Sequence, residues 1–357
     1  MTTSARQPIT GPVAWYGSEL EASGDWVRRL TPAQIDEIDA ALAGVNRRGT
    51  PTLSIARNDF PLPGLTALLD DLQHELEHGR GAVRLAGLPA TRYSDEDLRR
   101  LFWGIGTHLG VTLNQNARAE LIGEVRDESA DMEKSYIDSA PGKVKSSRAR
   151  ARSTGPLRFH TDRCDVIALL CARNSIAGGV SKLASIVTIH NEMLRRRPDL
   201  LEELFQDFWR SRPEDEDGLH PDRVFKLPVF GLVDGHFTSQ YSRTYVEQAQ
   251  EYPEVPRLTA AQIAAMDLLA EVAEEVCLYA PFEMGDMQFL NNHVIYHGRT
   301  AYEDDRASGN TRLLMRLWLS VPNNRPLPKG HEVLWGSITP NTVRGGVQVA
   351  RSTSVAA

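Results

Sequence analysis

The first third of the chain alternates between amphipathic segments and short apolar runs. Leucines recur at helical spacing across residues 65–78, which predicts a helix with one apolar face. Thr31, followed by a proline and then by Gln34, forms a capping box that predicts the start of another helix. Ser94 opens a further predicted helix in the same way, and residues 81–87, bounded by glycines, are typical of a buried strand.

From residue 159 onward, apolar runs and amphipathic segments alternate more densely. Helices are predicted over residues 193–208, with an interruption at Pro198, and from a cap at Thr259 to residue 276. Strands are predicted from β-branched and apolar runs over residues 166–171, 184–189, 224–233 (strand, turn and strand), 287–296 and 313–321. The order of these elements predicts a mainly β fold with flanking helices, of the α+β class.

Composition excludes several classes of protein. The 357 residues are 41% hydrophobic and 24% charged, which is ordinary for a globular chain. A net charge of −7 argues against nucleic acid or an anionic membrane as a partner. Three cysteines without a Cys-x-x-Cys pair do not form a disulfide framework, and they favour a cytoplasmic location. We find neither a signal sequence nor an apolar run of membrane-spanning length.

Residues 1–12 and 350–357 are predicted to be flexible tails around a single domain over residues 13–349. Within that domain, residues 126–158 are polar and predict a long loop. The second part of this loop carries six Lys or Arg residues and runs directly into His160. We therefore predict a basic lid that attracts an anionic substrate, with a mobile surface loop as the alternative.

The candidate chemistry begins at His160 and Asp162. Because side chains two residues apart on a strand share a face, both can ligate one ion. A third ligand is available from either His293 or His297, which lie four residues apart and would share a face if both stand on one strand. Two histidines and one carboxylate are the facial triad of non-haem iron(II) oxygenases, which leaves positions open for a 2-oxo acid and dioxygen.

Two arginines follow these histidines. Arg312 and Arg316 lie four residues apart, at the start of the last predicted strand and within it, and residues at this spacing on a strand share a face, so we expect both side chains to point into one pocket. A guanidinium group binds a carboxylate through two parallel hydrogen bonds. The distal carboxylate of 2-oxoglutarate requires such a partner, and these arginines are candidates for that role.

These motifs, in this order, make residues 80–322 resemble the taurine dioxygenase-like (TauD/TfdA-like) family of 2-oxoglutarate oxygenases, in its clavaminate synthase-like branch. The resemblance implies a double-stranded β-helix, or jelly roll, and favours His297 over His293 as the third iron ligand. It implies 2-oxoglutarate contacts from Arg312, from Ser181 in a Gly-Gly-Val-Ser segment, and from Asn292. The substrate contacts that it implies are Arg316, Gln115, Asn116 and Arg163.

The expected reaction uses Fe(II), 2-oxoglutarate and O2 and releases succinate and carbon dioxide. It hydroxylates, desaturates or cyclises at an unactivated C–H bond of a small substrate that is anionic, amino-acid-derived or tethered to a carrier. Two alternatives are a non-catalytic jelly-roll binding protein and a cupin-type metal enzyme that does not use 2-oxoglutarate. A homo-oligomer is compatible with the sequence, and Trp318 is expected to be a core residue.

Overall fold

The helices of the protein begin where the sequence places their caps. In a computed structural model, which describes residues 6–129, 150–213, 216 and 218–349, the side chains of Thr31, Ser94 and Thr259 each accept a backbone N–H three residues later. The helices over these residues are α1 (Gly17–Ser23), α2 (Pro32–Arg48), α3 (Thr66–His78), α4 (Asp95–Leu109), α5 (Ile186–Arg196), α6 (Pro198–Leu204), α7 (Arg243–Ala249), α8 (Ala260–Val276) and α9 (Glu332–Trp335).

The strands are short and spread along the whole described chain. In chain order they are β1 (Val27–Arg29), β2 (Ala82–Ala86), β3 (Val111–Thr112), β4 (Ile122–Val125), β5 (Leu157–His160), β6 (Val166–Arg173), β7 (Ala177–Gly178), β8 (Ser181–Ser185), β9 (Asp207–Ser211), β10 (Val224–Pro228), β11 (Phe230–Val233), β12 (His236–Ser239), β13 (Leu278–Ala280), β14 (Met287–Asn291), β15 (Ile295–Arg299), β16 (Tyr302–Glu303) and β17 (Leu313–Ser320).

Two sheets organise these strands. The larger sheet has the order β1–β2–β14–β6–β17–β3, with β4 also paired to β17, and the smaller sheet has the order β13–β8–β15–β5. Apart from the parallel pair β1–β2, neighbouring strands in both sheets are antiparallel. The pairs β9–β10, β11–β12 and β7–β16 form separate two-stranded ribbons. The predicted class, a jelly-roll core with flanking helices, is confirmed.

The core has three layers of apolar contacts. One cluster lies between α2, α3 and α4 and the outer face of the larger sheet, and another covers the outer face of the smaller sheet with α5, α6 and α8. A third joins the inner faces of the two sheets, where Ile167 and Leu169 of β6 meet Leu183 of β8. Since β6 is buried on both faces, its sequence is a continuous apolar run rather than an alternating one.

The predicted strand over residues 184–189 is wrong beyond Ser185. Strand β8 ends there, and the Ser185 side chain accepts the N–H of Thr188 to cap α5. The first four residues of α5 are all buried, and all four are β-branched. Because a helix buried on every side in its first turn shows no polar face there, its sequence resembles a strand.

The predicted helix over residues 193–208 is also wrong in its bounds. Helix α5 ends at Arg196, and Pro198 begins α6, which ends at Leu204. The chain then enters β9 at Asp207, so the last residues of the predicted helix belong to a strand. Proline at the first position of α6 explains the break, since its ring fits a helix start but not a helix interior.

The predicted strand over residues 287–296 is two strands with a turn between them. Strand β14 ends at Asn291 in the larger sheet, and β15 begins at Ile295 in the smaller sheet. The N–H of Val294 donates to the Asn291 carbonyl at 3.2 Å across this turn. The expectation that His293 and His297 share one strand face is therefore wrong, because His293 lies in the turn.

Part of the predicted N-terminal tail contacts α5. The Asn191 side chain accepts the Ile9 N–H at 2.9 Å and donates to the Ile9 carbonyl at 2.7 Å. Residues 1–5 and 350–357, together with 130–149 of the predicted lid, lie outside the described residues. The single domain over residues 13–349 stays a prediction. None of the helices within the described residues combines the length and apolarity needed to cross a membrane.

Candidate metal and substrate site

Two histidines face each other across the smaller sheet. His160 is the last residue of β5 and His297 is the central residue of β15, and the two are direct partners in the strand register. Their imidazole centroids are 4.3 Å apart. Asp162 follows two residues after His160, where the chain leaves the smaller sheet toward β6. Strand pairing therefore brings together His160 and His297, which are 137 positions apart in the sequence.

The ligand atoms of these three side chains converge on one point. One potential ligand atom from each of His160, Asp162 and His297 lies within 4.8 Å of the other two. The His160 Nε2 is 3.8 Å from Asp162 Oδ1, and the His297 Nε2 is 4.0 Å from Asp162 Oδ2. The residues are 8%, 9% and 7% exposed. Two imidazoles and one carboxylate at this spacing are the donor set of a non-haem Fe(II) site.

Hydrogen bonds orient two of these side chains. The His160 Nδ1 lies 2.9 Å from the Arg158 carbonyl, so a proton on Nδ1 leaves Nε2 free to bind a metal. The Trp318 indole N–H donates to Asp162 Oδ2 at 2.8 Å. The Asn292 side-chain oxygen accepts the backbone N–H of Asp162 at 3.0 Å, which fixes the turn that presents the carboxylate.

The protonation states favour metal ligation. Burial lowers the pKa of His297 to about 3, with a contribution from His160, so the imidazole is neutral at physiological pH. Burial alone would raise the pKa of Asp162. The guanidinium of Arg316 and the hydrogen bond from the Trp318 indole N–H outweigh it and hold the pKa of that carboxyl below its usual value. A neutral imidazole and an ionised carboxylate are the forms that bind a metal.

His293 belongs to a different cluster. Its Nε2 lies 3.0 Å from Asp165 Oδ1, and its Nδ1 lies 2.8 Å from the hydroxyl of Thr238. The ring also stacks on Trp335 at 4.8 Å between centroids. Both ring nitrogens are thus engaged, and the group that could hold a metal contains His297 and not His293.

A cleft opens in front of His160 and Asp162, and the four predicted substrate residues line it. Arg316 on β17 donates from Nε to Gln115 Oε1 at 2.7 Å, and its Nη1 is 3.4 Å from Asp162 Oδ2. Gln115 also donates to the Arg316 carbonyl at 2.8 Å, so it fixes both ends of that residue. Asn116 and Arg163 line the cleft as well, paired with Glu120 and Glu216 respectively.

The comparisons with known proteins agree with this site. Residues 46–318 match the model of the taurine catabolism dioxygenase TauD, TfdA family. This chain belongs to that family. It is therefore an Fe(II)- and 2-oxoglutarate-dependent dioxygenase, rather than a non-catalytic jelly-roll protein or a cupin-type enzyme without 2-oxoglutarate.

Two known proteins resemble this TauD, TfdA family member along most of their length. FR-33289 synthase of Streptomyces rubellomurinus is 28% identical over 340 residues, which cover 92% of this chain and 95% of that protein. The taurine hydroxylase-like protein SAT17 of Stachybotrys chartarum is 29% identical over 317 residues, which cover 87% and 79%.

Solved structures show the same fold. Asparagine oxygenase in complex with Fe(II), 2S,3S-3-hydroxyasparagine and succinate superposes with a TM-score of 0.62 at 15% identity, over 83% of this chain and 93% of that one. The non-haem iron oxygenase OrfP in complex with Fe and alpha-ketoglutaric acid has a TM-score of 0.59 at 15% identity, over 82% and 93%.

Arg312 and Arg316 do not share a pocket. Arg312 immediately precedes β17, and a register irregularity lies between Leu313 and Leu314. Within the described part of the chain, the cleft lining includes Arg316 but not Arg312. The guanidinium of Arg312 instead packs over the Tyr302 ring, 5.2 Å from its centroid. The four-residue spacing therefore does not bring both guanidinium groups into this cleft.

Arg312 lies against the Gly-Gly segment that precedes Ser181. Gly178 and Gly179 both have positive φ, at 70° and 69°. A Cβ on Gly179 would lie 3.1 Å from Arg312 Nε and 2.9 Å from Ser175 Oγ, so glycine allows this close approach. Ser181 is buried on β8, where its hydroxyl accepts from the Gln288 side chain at 3.2 Å.

Asn292 occupies a supporting position. Its amide oxygen contacts the Asp162 N–H, and its amide nitrogen donates to Cys164 Sγ at 3.1 Å. Within the predicted lid, Ala151 and Arg152 line the cleft, while residues 130–149 lie outside the described residues. Strand β5 already begins at Leu157, so the loop ends before residue 158.

Sequence reasoning missed several residues around the site. Trp318, expected only as core, contacts Asp162 directly. Arg212 and Gln240 line the cleft, and Arg212 Nη1 and Gln240 Oε1 have no hydrogen-bond partner among the described residues. Arg299, two residues after His297, is buried and was not singled out. Its position in a His-Gly-Arg triplet on a buried strand was the available signal.

Proposed function

We propose that this dioxygenase hydroxylates a small, amino-acid-derived substrate that carries an anionic group, with Fe(II) held by His160, Asp162 and His297. The single observation that carries the proposal is the convergence of one ligand atom from each residue to within 4.8 Å. When bound, Fe(II) and 2-oxoglutarate together activate O2 for the oxidation of a C–H bond, with release of succinate and carbon dioxide. The facial donor set leaves open metal positions for that chemistry.

The cosubstrate is proposed to bind through Arg312 and Ser181. Arg312 is 3% exposed, and its Nε and Nη1 have no partner among the described residues. A buried guanidinium without an anion is costly, and the distal carboxylate of 2-oxoglutarate would satisfy it. Asn292 supports the same region through its hold on the Asp162 backbone. Its direct contact with 2-oxoglutarate remains a proposal.

The substrate is proposed to bind in the cleft in front of His160. Arg316, Arg212 and Arg163 supply positive charge there, and Gln115 and Asn116 supply polar contacts. The free Arg212 Nη1 suits an anionic group, while the free Gln240 Oε1 suits an N–H or O–H donor on the same molecule. An amino-acid-derived compound offers both groups.

The relatives support this substrate class. Asparagine oxygenase was solved with hydroxyasparagine, and OrfP was solved with (3S)-hydroxy-L-Arg. Hydroxylation is proposed over desaturation or cyclisation because both of those structures contain hydroxylated amino acids. A carrier-tethered aminoacyl group fits the same chemistry, and it is one arm of the test below.

The test is a screen for succinate release with Fe(II), 2-oxoglutarate and O2 over free amino acids, N-acylated amino acids, sulfonates, phosphonates and carrier-tethered aminoacyl thioesters. The proposal expects one amino-acid-derived compound to raise succinate release and to gain one oxygen atom by mass spectrometry. His297→Ala is the matched control and should show neither effect. Equal succinate release by the wild type and by His297→Ala with every compound would refute the proposal.

A further inference from the structure

A second buried arginine lies beside Arg312. Arg299 is 4% exposed, and its guanidinium packs over the same Tyr302 ring as Arg312, at 4.6 Å from the centroid. Its Nη2 donates to the carbonyls of Ser153 and Gly155 at 2.7 and 2.6 Å. Its Nε and Nη1 have no hydrogen-bond partner in the described part of the chain.

This pair of arginines lacks an anion. Among the described residues, no carboxylate forms an ion pair with Arg299 or with Arg312. Nε and Nη1 are unpartnered on both, and the buried Tyr302 hydroxyl is unpartnered as well. Two cations that pack on one ring and are removed from water repel each other and each lose hydration, which is unfavourable unless a negative group compensates. The cluster therefore has the chemistry of an anion site.

The position of Arg299 on β15 sets its distance from the metal site. Arg299 follows His297 by two residues, so both side chains project from the same face of the strand. Two residues of strand span about 6–7 Å. A five-carbon dicarboxylate whose keto-acid end lies at the metal extends its far carboxylate over a comparable distance. Ser181, the proposed cosubstrate contact on β8, is the register partner of Arg299.

We propose that Arg299 binds the distal carboxylate of 2-oxoglutarate together with Arg312, so that the cosubstrate tail is held by two guanidinium groups. A carboxylate has about four lone-pair sites and accepts donors from two guanidinium groups at once. This inference rests on the proposed function, in which Arg312 and Ser181 receive the cosubstrate. The inference adds Arg299 to that site. Through its hydrogen bonds to the Ser153 and Gly155 carbonyls, Arg299 also connects the loop before β5 to the cosubstrate pocket.

The test compares two ligands of equal chain length. 2-Oxoglutarate and 2-oxopentanoate share the keto-acid end, but only 2-oxoglutarate has a distal carboxylate. Their dissociation constants are measured by calorimetry on the Fe(II)-loaded protein without oxygen. Arg299→Gln should raise the constant for 2-oxoglutarate on the order of 10- to 100-fold, as expected for a lost charged hydrogen bond. The constant for 2-oxopentanoate should change less than about threefold.

Two further variants keep the test decisive. Arg299→Lys retains the charge but lacks the paired donors of a guanidinium. It should weaken the binding of 2-oxoglutarate less than Arg299→Gln does, and it provides a readout if the glutamine variant does not fold. Arg28→Gln removes a partly exposed arginine on β1 that pairs with Asp71, and it should leave both constants unchanged.

Each remaining outcome overturns a defined claim. An unchanged 2-oxoglutarate constant in Arg299→Gln would refute the inference. Equally weakened binding of 2-oxoglutarate and 2-oxopentanoate would refute the inference too, because it would show that Arg299 only supports the local structure. Failure of the wild-type protein to bind 2-oxoglutarate at all would instead refute the proposed function and, with it, the inference.

Discussion

Two aspartates three residues apart, Asp162 and Asp165, are both buried but differ in how their oxygens are used. Asp165 Oδ2 accepts from Ser320, Asn324 and the Val321 N–H, at 3.0, 2.8 and 3.2 Å. Its Oδ1 contacts His293 and Arg344 at 3.0 and 2.9 Å, so both oxygens are saturated. We call this group the Asp165 cluster; its members are Asp165, His293, Ser320, Val321, Asn324 and Arg344.

Asp162 is less completely satisfied. Its Oδ2 accepts from Trp318 and lies near Arg316, whereas its Oδ1 faces His160 Nε2 at 3.8 Å, beyond hydrogen-bond distance. The histidines follow the same division. Both nitrogens of His293 are bonded, but His297 Nδ1 has no partner among the described residues. Unpartnered polar atoms, rather than residue type or spacing, distinguish the candidate metal site from the Asp165 cluster.

The largest expected effect on stability comes from the Asp165 cluster. Asp165→Asn removes the counter-ion of the buried Arg344, so the free energy of unfolding should fall by about 3–5 kcal/mol. Asp162→Asn, measured in the metal-free protein, should cost less, because the Arg316 side chain is partly exposed and Gln115 still holds it. Chemical denaturation of both variants checks this difference, and equal losses would show that the two aspartates have the same structural role.

Acid should weaken the Asp165 cluster by a smaller amount. Burial lowers the pKa of His293 to about 4 from an ordinary value of 6.5. Between these values the unfolded chain binds a proton that the folded protein excludes, so the free energy of unfolding falls as the pH falls from 6.5 to 4. Over that pH range the free energy of unfolding of His293→Gln should fall by about 1–3 kcal/mol less than that of the wild type.

The comparison with His293→Gln isolates one histidine. Burial also lowers the pKa of His331 to about 4, but His331 is present in both proteins and contributes equally. Glutamine can still donate to Asp165, which limits other losses. Denaturant unfolding at several pH values gives the slope of the unfolding free energy against pH for each protein. Identical slopes would assign the acid sensitivity to groups other than His293.

Local spacing allowed much of the site to be predicted from the sequence. His160 ends β5 and Asp162 follows it by two residues, and the order of motifs gave His297 and the arginines as further candidate site residues. Arg316, Gln115, Asn116 and Arg163 all line the cleft in the structure. These predictions depended on short-range patterns that the fold preserves.

The parts that the sequence did not predict depend on distant contacts or local irregularities. The Asp165 cluster draws partners from residues 293 to 344, which no local pattern relates to Asp165. Arg312 packs on Tyr302 and does not line the cleft with Arg316, and the start of α5 was misinterpreted because its first turn has no polar face. Arg299 was missed although it follows His297 by two residues, and its unpartnered nitrogens distinguish it in the structure.

The central claim is that His160, Asp162 and His297 form the metal site while His293 does not. Without oxygen, Fe(II) and 2-oxoglutarate together produce a charge-transfer absorption in the visible range when the keto acid chelates the bound iron. The wild type and His293→Gln should both develop this absorption, and His297→Ala should not at the same iron and cosubstrate concentrations. An absorption that persists in His297→Ala but disappears in a folded His293→Gln would contradict the account.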